Sequence, residues 1–422
     1  MVSEILKDVK IPRMVKIRQV FPNPKIEINE IPGIIYDKLN RQGFKEQIKP
    51  GMRIAITAGS RGVANIALVI KTIADFVKDH GGEPFVIPAM GSHGGATAEG
   101  QIEVLRHLGV TEEYLGCAII SSMEVKCIGK SEDGYDVYSD KIASESDGII
   151  VIGRIKAHTD FTGPYESGIM KMMTIGMGNH IGASNCHELG FKNMHRNIPA
   201  FGKTVVKNMP VLFAVTLMEN PYDETYRIEL LKPEAIEEKE PELLAEAKTM
   251  MPMLYIKDYD ILIVDKVGKN ISGCGMDPHI TGTYCSPYAW GAKRAQRIAV
   301  LDLTDETGGC ATGVGYGDAT TKRLWEKTDL DKGYPNSVIA HALEGCKIPM
   351  ILENDKEAIQ VCIKTCEEVD KENIRIIRIQ DTLHMEHIMV SEALLYEAES
   401  HPNIVIESEP FELEFNIKGD LW

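Results

Sequence analysis

The chain has 422 residues, 44% of them apolar and 26% charged, with Lys+Arg 46 against Asp+Glu 62 and a formal charge of −16. That length exceeds what one small core organises and predicts two or three domains. The acidic balance argues against broad nucleic-acid binding through a basic face. The N-terminal MVSEILKDVKIPRMVKIRQV is charged throughout, unlike a secretory signal, and no run of eighteen apolar residues is available to span a membrane.

Nine dispersed cysteines without a C-x-x-C pair fit reduced thiols and a cytoplasmic location, and give no support to a zinc ribbon or iron–sulfur cassette. Many glycines (37) and few aromatics (6%) suit an α/β chain rich in tight turns.

In chain order, residues 52–58 (MRIAITA) predict a buried strand ending at Gly59-Ser60-Arg61-Gly62. Ile66, Val69, Ile70, Ile73 and Val77 then follow helical spacing. Residues 84–89 (PFVIPA) predict the next strand, which ends at Gly91-Ser92-His93-Gly94-Gly95, and Thr97 opens a helix through about residue 108. Both glycine turns fall at carboxyl ends of strands, where open α/β sheets bind ligands.

Residues 148–153 (GIIVIG) predict a strand leading into Arg154-Ile155-Lys156-Ala157-His158, and residues 211–217 a further one. Between them, residues 159–201 are rich in Gly, Met and His with weak periodicity, and are expected to form a long irregular and functional stretch. Residues 232–248 predict a Glu-rich helix, most simply a solvated connector. A second series follows, with strands at 260–265, 297–303 and 374–379 and helices near 336–344, 357–370 and 386–399.

The expected architecture is therefore α/β: two mixed α/β domains with mainly parallel sheets and the active site in the inter-domain cleft. Residues 1–250 are expected to carry the catalytic histidines and cofactor anchor, and 251–422 to close over the substrate, with the last helix free to return to the first domain.

Of twelve histidines, His93, His158, His180, His187, His195 and His279 lie in or beside glycine-rich loops. His93 and His158 closely follow strands, where an imidazole can enter a cleft and transfer protons near neutral pH. His341, His384, His387 and His401 lie far down the second domain without evident partners and are expected to be structural. Arg61, beside Ser60 and Gly62, offers a planar fork to a carboxylate or phosphate, and backbone N–H groups at the next helix start would extend that anion site. Lys171 stands among apolar residues in Ser167-Gly168-Ile169-Met170-Lys171-Met172-Met173. Burial there would favour a neutral amine for covalent attachment, against the plainer alternative of a snorkelling lysine. The segment Gly176-Met177-Gly178-Asn179-His180-Ile181-Gly182 lacks both the spacing and the preceding strand of a dinucleotide fingerprint.

Strand–GSRG with Arg61, strand–GSHG with His93, strand–KAH with His158, then SGIMK with Lys171 and His187 sixteen residues on, resemble the nickel-pincer lactate racemase family over roughly residues 10–220. The resemblance implies a cofactor, the nickel complex of pyridinium-3,5-bisthiocarboxylic acid mononucleotide, tethered to Lys171 with His187 completing the nickel coordination. His93 and His158 match the pair that exchanges the proton of the substrate hydroxyl. Arg61 matches an active-site arginine suited to the substrate carboxylate, with Ser60 and Gly62 beside it near the cofactor.

The implied activity is racemisation or epimerisation of a small 2-hydroxy acid, with cofactor-maturation proteins as partners and neither nucleic acid nor membrane. The family's usual acidic and Thr-Arg-Pro residues in the first turn are replaced here by Gly59-Ser60-Arg61-Gly62, which marks a divergent member. In the second domain, Lys269, Asn270 and His279 are the candidate substrate contacts. Two other classes fit the same residues: a metal-dependent hydrolase or lyase with ordinary His-bound metal, and a protein that binds an anion without turnover.

Overall fold

The computed structural model describes residues 2–339 and 342–422; His341 lies outside them. The chain divides into two units, one made of Met1–Phe21 with Pro252–Trp422 and the other of Pro22–Met251. Both are α/β with mainly parallel sheets. Among the described residues, no helix is long and apolar enough to cross a membrane.

The Pro22–Met251 unit is built on a five-stranded sheet in the order Glu83–Pro88, Arg53–Ala58, Gly148–Arg154, Val211–Glu219, Thr225–Leu231. The first three pairings are parallel, and the last is an antiparallel hairpin edge. The four parallel strands are mainly apolar because both faces are covered, as parallel sheets require, while the edge strand Thr225–Leu231 carries Arg227 and Glu229. Alternation then divides the side chains. Ile54, Ile56, Ile150, Ile152, Phe213 and Val215 join a core with the helices Ile31–Arg41 and Ile66–Asp79. Ala55, Phe85, Ile87, Ile149, Val151 and Ala214 join a core on the opposite face, with the helices Phe191–Asn208 and Ile236–Thr249.

Two expectations are corrected in this unit. Residues 159–201 are not mainly irregular: helical turns run from Ile169 to Gly176, and helices follow at Asn179–His187 and Phe191–Asn208. Their apolar spacing was masked by glycines and by buried Asn179 and Asn197. The Glu-rich helix Ile236–Thr249 is not a solvated connector, since Ile236, Glu240, Leu243, Leu244 and Ala247 are all buried.

The other unit carries an eight-stranded sheet ordered Met350–Leu352, Ala319–Thr321, Arg297–Leu303, Ile261–Val267, Ile376–Ile379, His387–Ser391, Met14–Gln19, Ile404–Ile406. The first five strands are mutually parallel; the last three extend the sheet antiparallel. Residues 14–19, expected in the first domain, instead pair here with His387–Ser391 and Ile404–Ile406. The helix expected over 386–399 is a strand followed by a short helix at Leu395–Ser400, because Ile388 and Val390 alternate into the core opposite Ile17 and Val15. His384, His387 and His401 each have a partner: Asp381, Glu407 and the Tyr255 ring.

The core against the five-stranded sheet sets a stability test. Phe213 and Phe44 are fully buried with ring centroids 4.5 Å apart. Phe213→Ala should cost about 3–5 kcal/mol of unfolding free energy in a urea titration.

Candidate active site

The carboxyl ends of the parallel strands in the Pro22–Met251 unit carry the loops that the sequence singled out. The turn after Arg53–Ala58 touches the segment bearing Lys171: a Cβ at Gly59 would stand 3.1 Å from Met172 Cε. Gly62, by contrast, has open space where a Cβ would be, so the close approach belongs to Gly59. The turn after Glu83–Pro88 reaches the same place, with the Gly91 N–H donating to Gly176 O at 3.1 Å. Gly94 follows His93 at φ +67°, where a side chain would also strike the backbone of Gly100 and Gln101. Ser60 Oγ and His93 Nδ1 are hydrogen-bonded across these two turns.

After the strand Gly148–Arg154 the chain makes a narrow loop closed by paired bonds between Lys156 and Ser167. His158, on this loop, is buried and packs on the Phe161 ring at 4.4 Å. Its backbone N–H donates to Glu166 Oε2 at 2.8 Å, and Glu166 Oε1 accepts from Gly163 N–H at 3.0 Å and Lys248 Nζ at 2.6 Å. Glu166 is itself wholly buried and ties both ends of the loop.

Lys171 Nζ lies 2.5 Å from His158 Nε2. The other ring nitrogen, Nδ1, accepts the Asp160 N–H at 3.1 Å. A neutral imidazole with an accepting Nδ1 carries its proton on Nε2. The partly buried Lys171 amine meets that nitrogen. Burial first, and then Lys171 when charged, push the imidazole pKa well below its ordinary value; Asp160 opposes, and the charges of His187 and Arg61 add to the depression. Those influences bring His158, Lys171, Asp160, His187 and Arg61 into one electrostatic site.

Lys171 ends a short α-helical turn, Ile169–Lys171, that continues as a π-helical turn over Met172–Gly176. Such turns recur at functional sites. Met170, Met173 and Met177, along the same segment, are buried in the core. Backbone N–H of Met170 donates to Glu240 Oε2 at 2.9 Å, from the Glu-rich helix. Glu240 is almost fully buried, and burial pushes its carboxyl up to about 7.

His187 ends the helix Asn179–His187, and its Nδ1 bonds to Ala183 O at 2.7 Å. That bond fixes the ring and assigns Nε2 as the lone-pair nitrogen, the arrangement that a backbone carbonyl gives to metal-binding histidines. His180, on the same helix, has a buried Nδ1 without a hydrogen-bond partner among the described residues, whereas His195 is exposed. A lysine amine against one imidazole and a second imidazole oriented through its Nδ1 are groups able to hold an amine-tethered or metal-containing ligand.

The anion site expected at the helix after Arg61 is altered. The Ala64 N–H donates to Glu219 Oε1 at 2.7 Å, and Arg154 pairs with the same carboxylate. The protein's own anion thus occupies that backbone donor. Lys269, Asn270 and His279 belong to the other unit. There Thr307 Oγ1 accepts the Lys269 N–H, Asn270 Oδ1 accepts from Thr304, and Asp277 caps the short helix Pro278–Thr281 through the His279 N–H. Sequence reasoning missed Glu166, Asp160, Glu219, Glu240 and Lys248. Glu166 and Glu240 are set apart by burial, Glu219 and Lys248 by partners distant in the chain, and neither has a local sequence signal.

Residues 5–198 match the family model of the lactate racemase N-terminal domain. The chain is similar to the solved lactate racemase apoprotein of Thermoanaerobacterium thermosaccharolyticum, at 13% identity and a TM-score of 0.51, over 88% of this chain and 99% of that one. A Thermotoga maritima protein is similar at 12% identity and a TM-score of 0.51, over 86% of this chain and 98% of that one. At these identities the structural likeness establishes the fold. No curated protein matches by sequence.

Glu240 gives a pH test. Its folded-state value of about 7 stands above the ordinary 4.5, so its contribution to stability is complete below pH 4.5 and is lost as pH rises through 7. Glu240→Gln should abolish that loss, gaining about 3 kcal/mol over wild type at pH 8 relative to pH 4, measured by denaturant unfolding at both. An unchanged pH slope in the variant would exclude Glu240 as the titrating group.

Proposed function

We propose, from the match of residues 5–198 to the family model of the lactate racemase N-terminal domain, that the chain is a lactate racemase-like isomerase that racemises or epimerises a small 2-hydroxy acid. The observation that carries this reading is the 2.5 Å approach of Lys171 Nζ to His158 Nε2 at the carboxyl edge of the sheet. A partly buried amine beside an imidazole is placed to give up a proton and become the nucleophile that a covalent anchor requires.

Lys171 would hold a nickel-pincer nucleotide covalently and His187 Nε2 would ligate its nickel. When bound, that group supplies reversible hydride exchange at the substrate Cα, which has no acidic hydrogen of its own. The protein does the rest. Arg61 holds the substrate carboxylate through its planar guanidinium. His93, oriented by Ser60, and His158, kept neutral by burial, exchange the hydroxyl proton. Two bases on separate strand-end loops let each enantiomer lose its proton from its own side. Ser60 and Gly62 border the cofactor site. Lys269, Asn270 and His279 are the substrate contacts proposed from the second unit, and cofactor-maturation proteins are the implied partners.

The decisive experiment is intact mass and metal analysis of protein coexpressed with pincer-synthesis proteins. A mass increase mapping to Lys171 with one nickel per chain is expected. Unmodified protein without nickel, from a host shown to supply the cofactor, would discard the reading in favour of an ordinary-metal enzyme or an anion-binding protein.

In the loaded enzyme, His93→Ala and His158→Ala should each lower turnover by about 10²–10⁴-fold with nickel retained, read by chiral chromatography of 2-hydroxy acids. His187→Ala should instead lose nickel while keeping the Lys171 adduct.

A further inference from the structure

The helix Ile236–Thr249 contacts both segments that form the Lys171–His158 pair, through the buried Glu240 and through Lys248 on the buried Glu166. Near its start, Glu240 reaches under the anchor segment: Oε2 accepts the Met170 N–H at 2.9 Å, one residue before Lys171. Its Oε1 fills the space left by Gly168, where a Cβ would stand 2.2 Å away. Near the end of the helix, Lys248 Nζ donates to Glu166 Oε1 at 2.6 Å, and Glu166 Oε2 holds the His158 N–H at 2.8 Å. Tyr165, between these loops, donates its hydroxyl to Glu237 O at 2.7 Å. A solvated connector would need none of these contacts. Burying a carboxylate against backbone donors is costly unless both are satisfied, so such groups fix geometry where they occur.

We infer that this helix is the positioning element of the anchor: Glu240 sets the backbone ahead of Lys171, and Lys248, through Glu166, sets His158. Glu240, Lys248 and Glu166 are positioning residues, since they act on backbone and on one another rather than on reacting atoms. The inference rests on the function proposed above only in that Lys171 is taken as the cofactor anchor.

The test uses full-length protein labelled with ¹⁵N-histidine, with the His158 ring signals assigned by their loss in His158→Gln. Wild type should show a protonated Nε2 and an unprotonated Nδ1. Glu240→Leu, which fills the site without an acceptor, and Lys248→Met should each shift the His158 Nε2 resonance while leaving the exposed His107 unmoved. Glu240→Gln, which keeps an acceptor for the Met170 N–H, should restore the wild-type signal.

The same variants coexpressed with the pincer-synthesis proteins should differ in loading. Glu240→Leu and Lys248→Met should each show up to about 10²-fold slower adduct formation on Lys171, the scale of loss that a misplacement of about 1 Å causes, and Glu240→Gln should load as wild type does. Unmoved His158 signals and undiminished loading in Glu240→Leu and Lys248→Met would overturn the inference. So would a loss that Glu240→Gln fails to rescue. If Glu240→Leu does not fold, Lys248→Met, altered at a partly exposed side chain, carries the same two readouts. Wild type that acquires no adduct defeats the proposed function and leaves the His158 spectrum as the measure of positioning.

Discussion

A parallel sheet buried on both faces leaves its ends as the places where polar chemistry can gather, and the Pro22–Met251 unit is organised by that constraint. Helices cover Ile54, Ile56 and Ile150 on one side and Ala55, Ile149 and Val151 on the other. The strands must therefore turn at their carboxyl ends with polar, glycine-bearing loops. Ser60 and Arg61, His93 and His158 are the residues of those three turns. The segment Ile169–Gly176 closes against them, touching Gly59 and Gly91. Position in the fold, more than any single motif, brings these groups together.

Once inside, each polar group needs its own compensation. Glu166 is wholly buried but meets two backbone N–H groups and an ammonium. Glu240 meets the Met170 N–H with one oxygen while the other has no hydrogen-bond partner among the described residues, and its carboxyl is driven up to about 7 accordingly. The two carboxylates show the range of the same physics. Glu166 has both oxygens met and serves as a strut, whereas burial leaves one Glu240 oxygen without a partner. His158, whose N–H Glu166 holds, has its imidazole pushed well below the ordinary value, by burial first.

Much of this was legible in the chain itself. Long apolar runs ending in Gly-Ser-Arg-Gly, Gly-Ser-His-Gly and Lys-Ala-His located three strand ends and their side chains, because a strand buried on both faces has few sequence alternatives. The short strands Met14–Gln19, His387–Ser391 and Ile404–Ile406 were not legible. Their pairing is antiparallel and joins residues more than 370 positions apart in the case of Met14 and Ser391, and no local pattern encodes a partner at that distance. The helices between Asn179 and Asn208 were obscured for a different reason. Their buried faces carry Gly182, Asn197 and Gly202 beside Ile198 and Phe201, and small or amide side chains at close packing points blur the apolar period.

The Glu-rich helix shows where composition misleads most. Five of its first seven residues are Glu or Lys on a sequence that also holds Pro241, and that pattern ordinarily marks a solvated face. Yet Glu240 and Lys248 are eight residues apart, about two helical turns and a fraction, so both can be directed to the side that also buries Leu244 and Ala247. A charge on the buried side of a helix is tolerated only when backbone donors or an opposite charge meet it. In this unit the donors are the N–H groups of the loops that carry Lys171 and His158. The same burial that makes Glu240 and Glu166 costly to hold thus ties the helix to the two segments whose relative placement the chemistry requires.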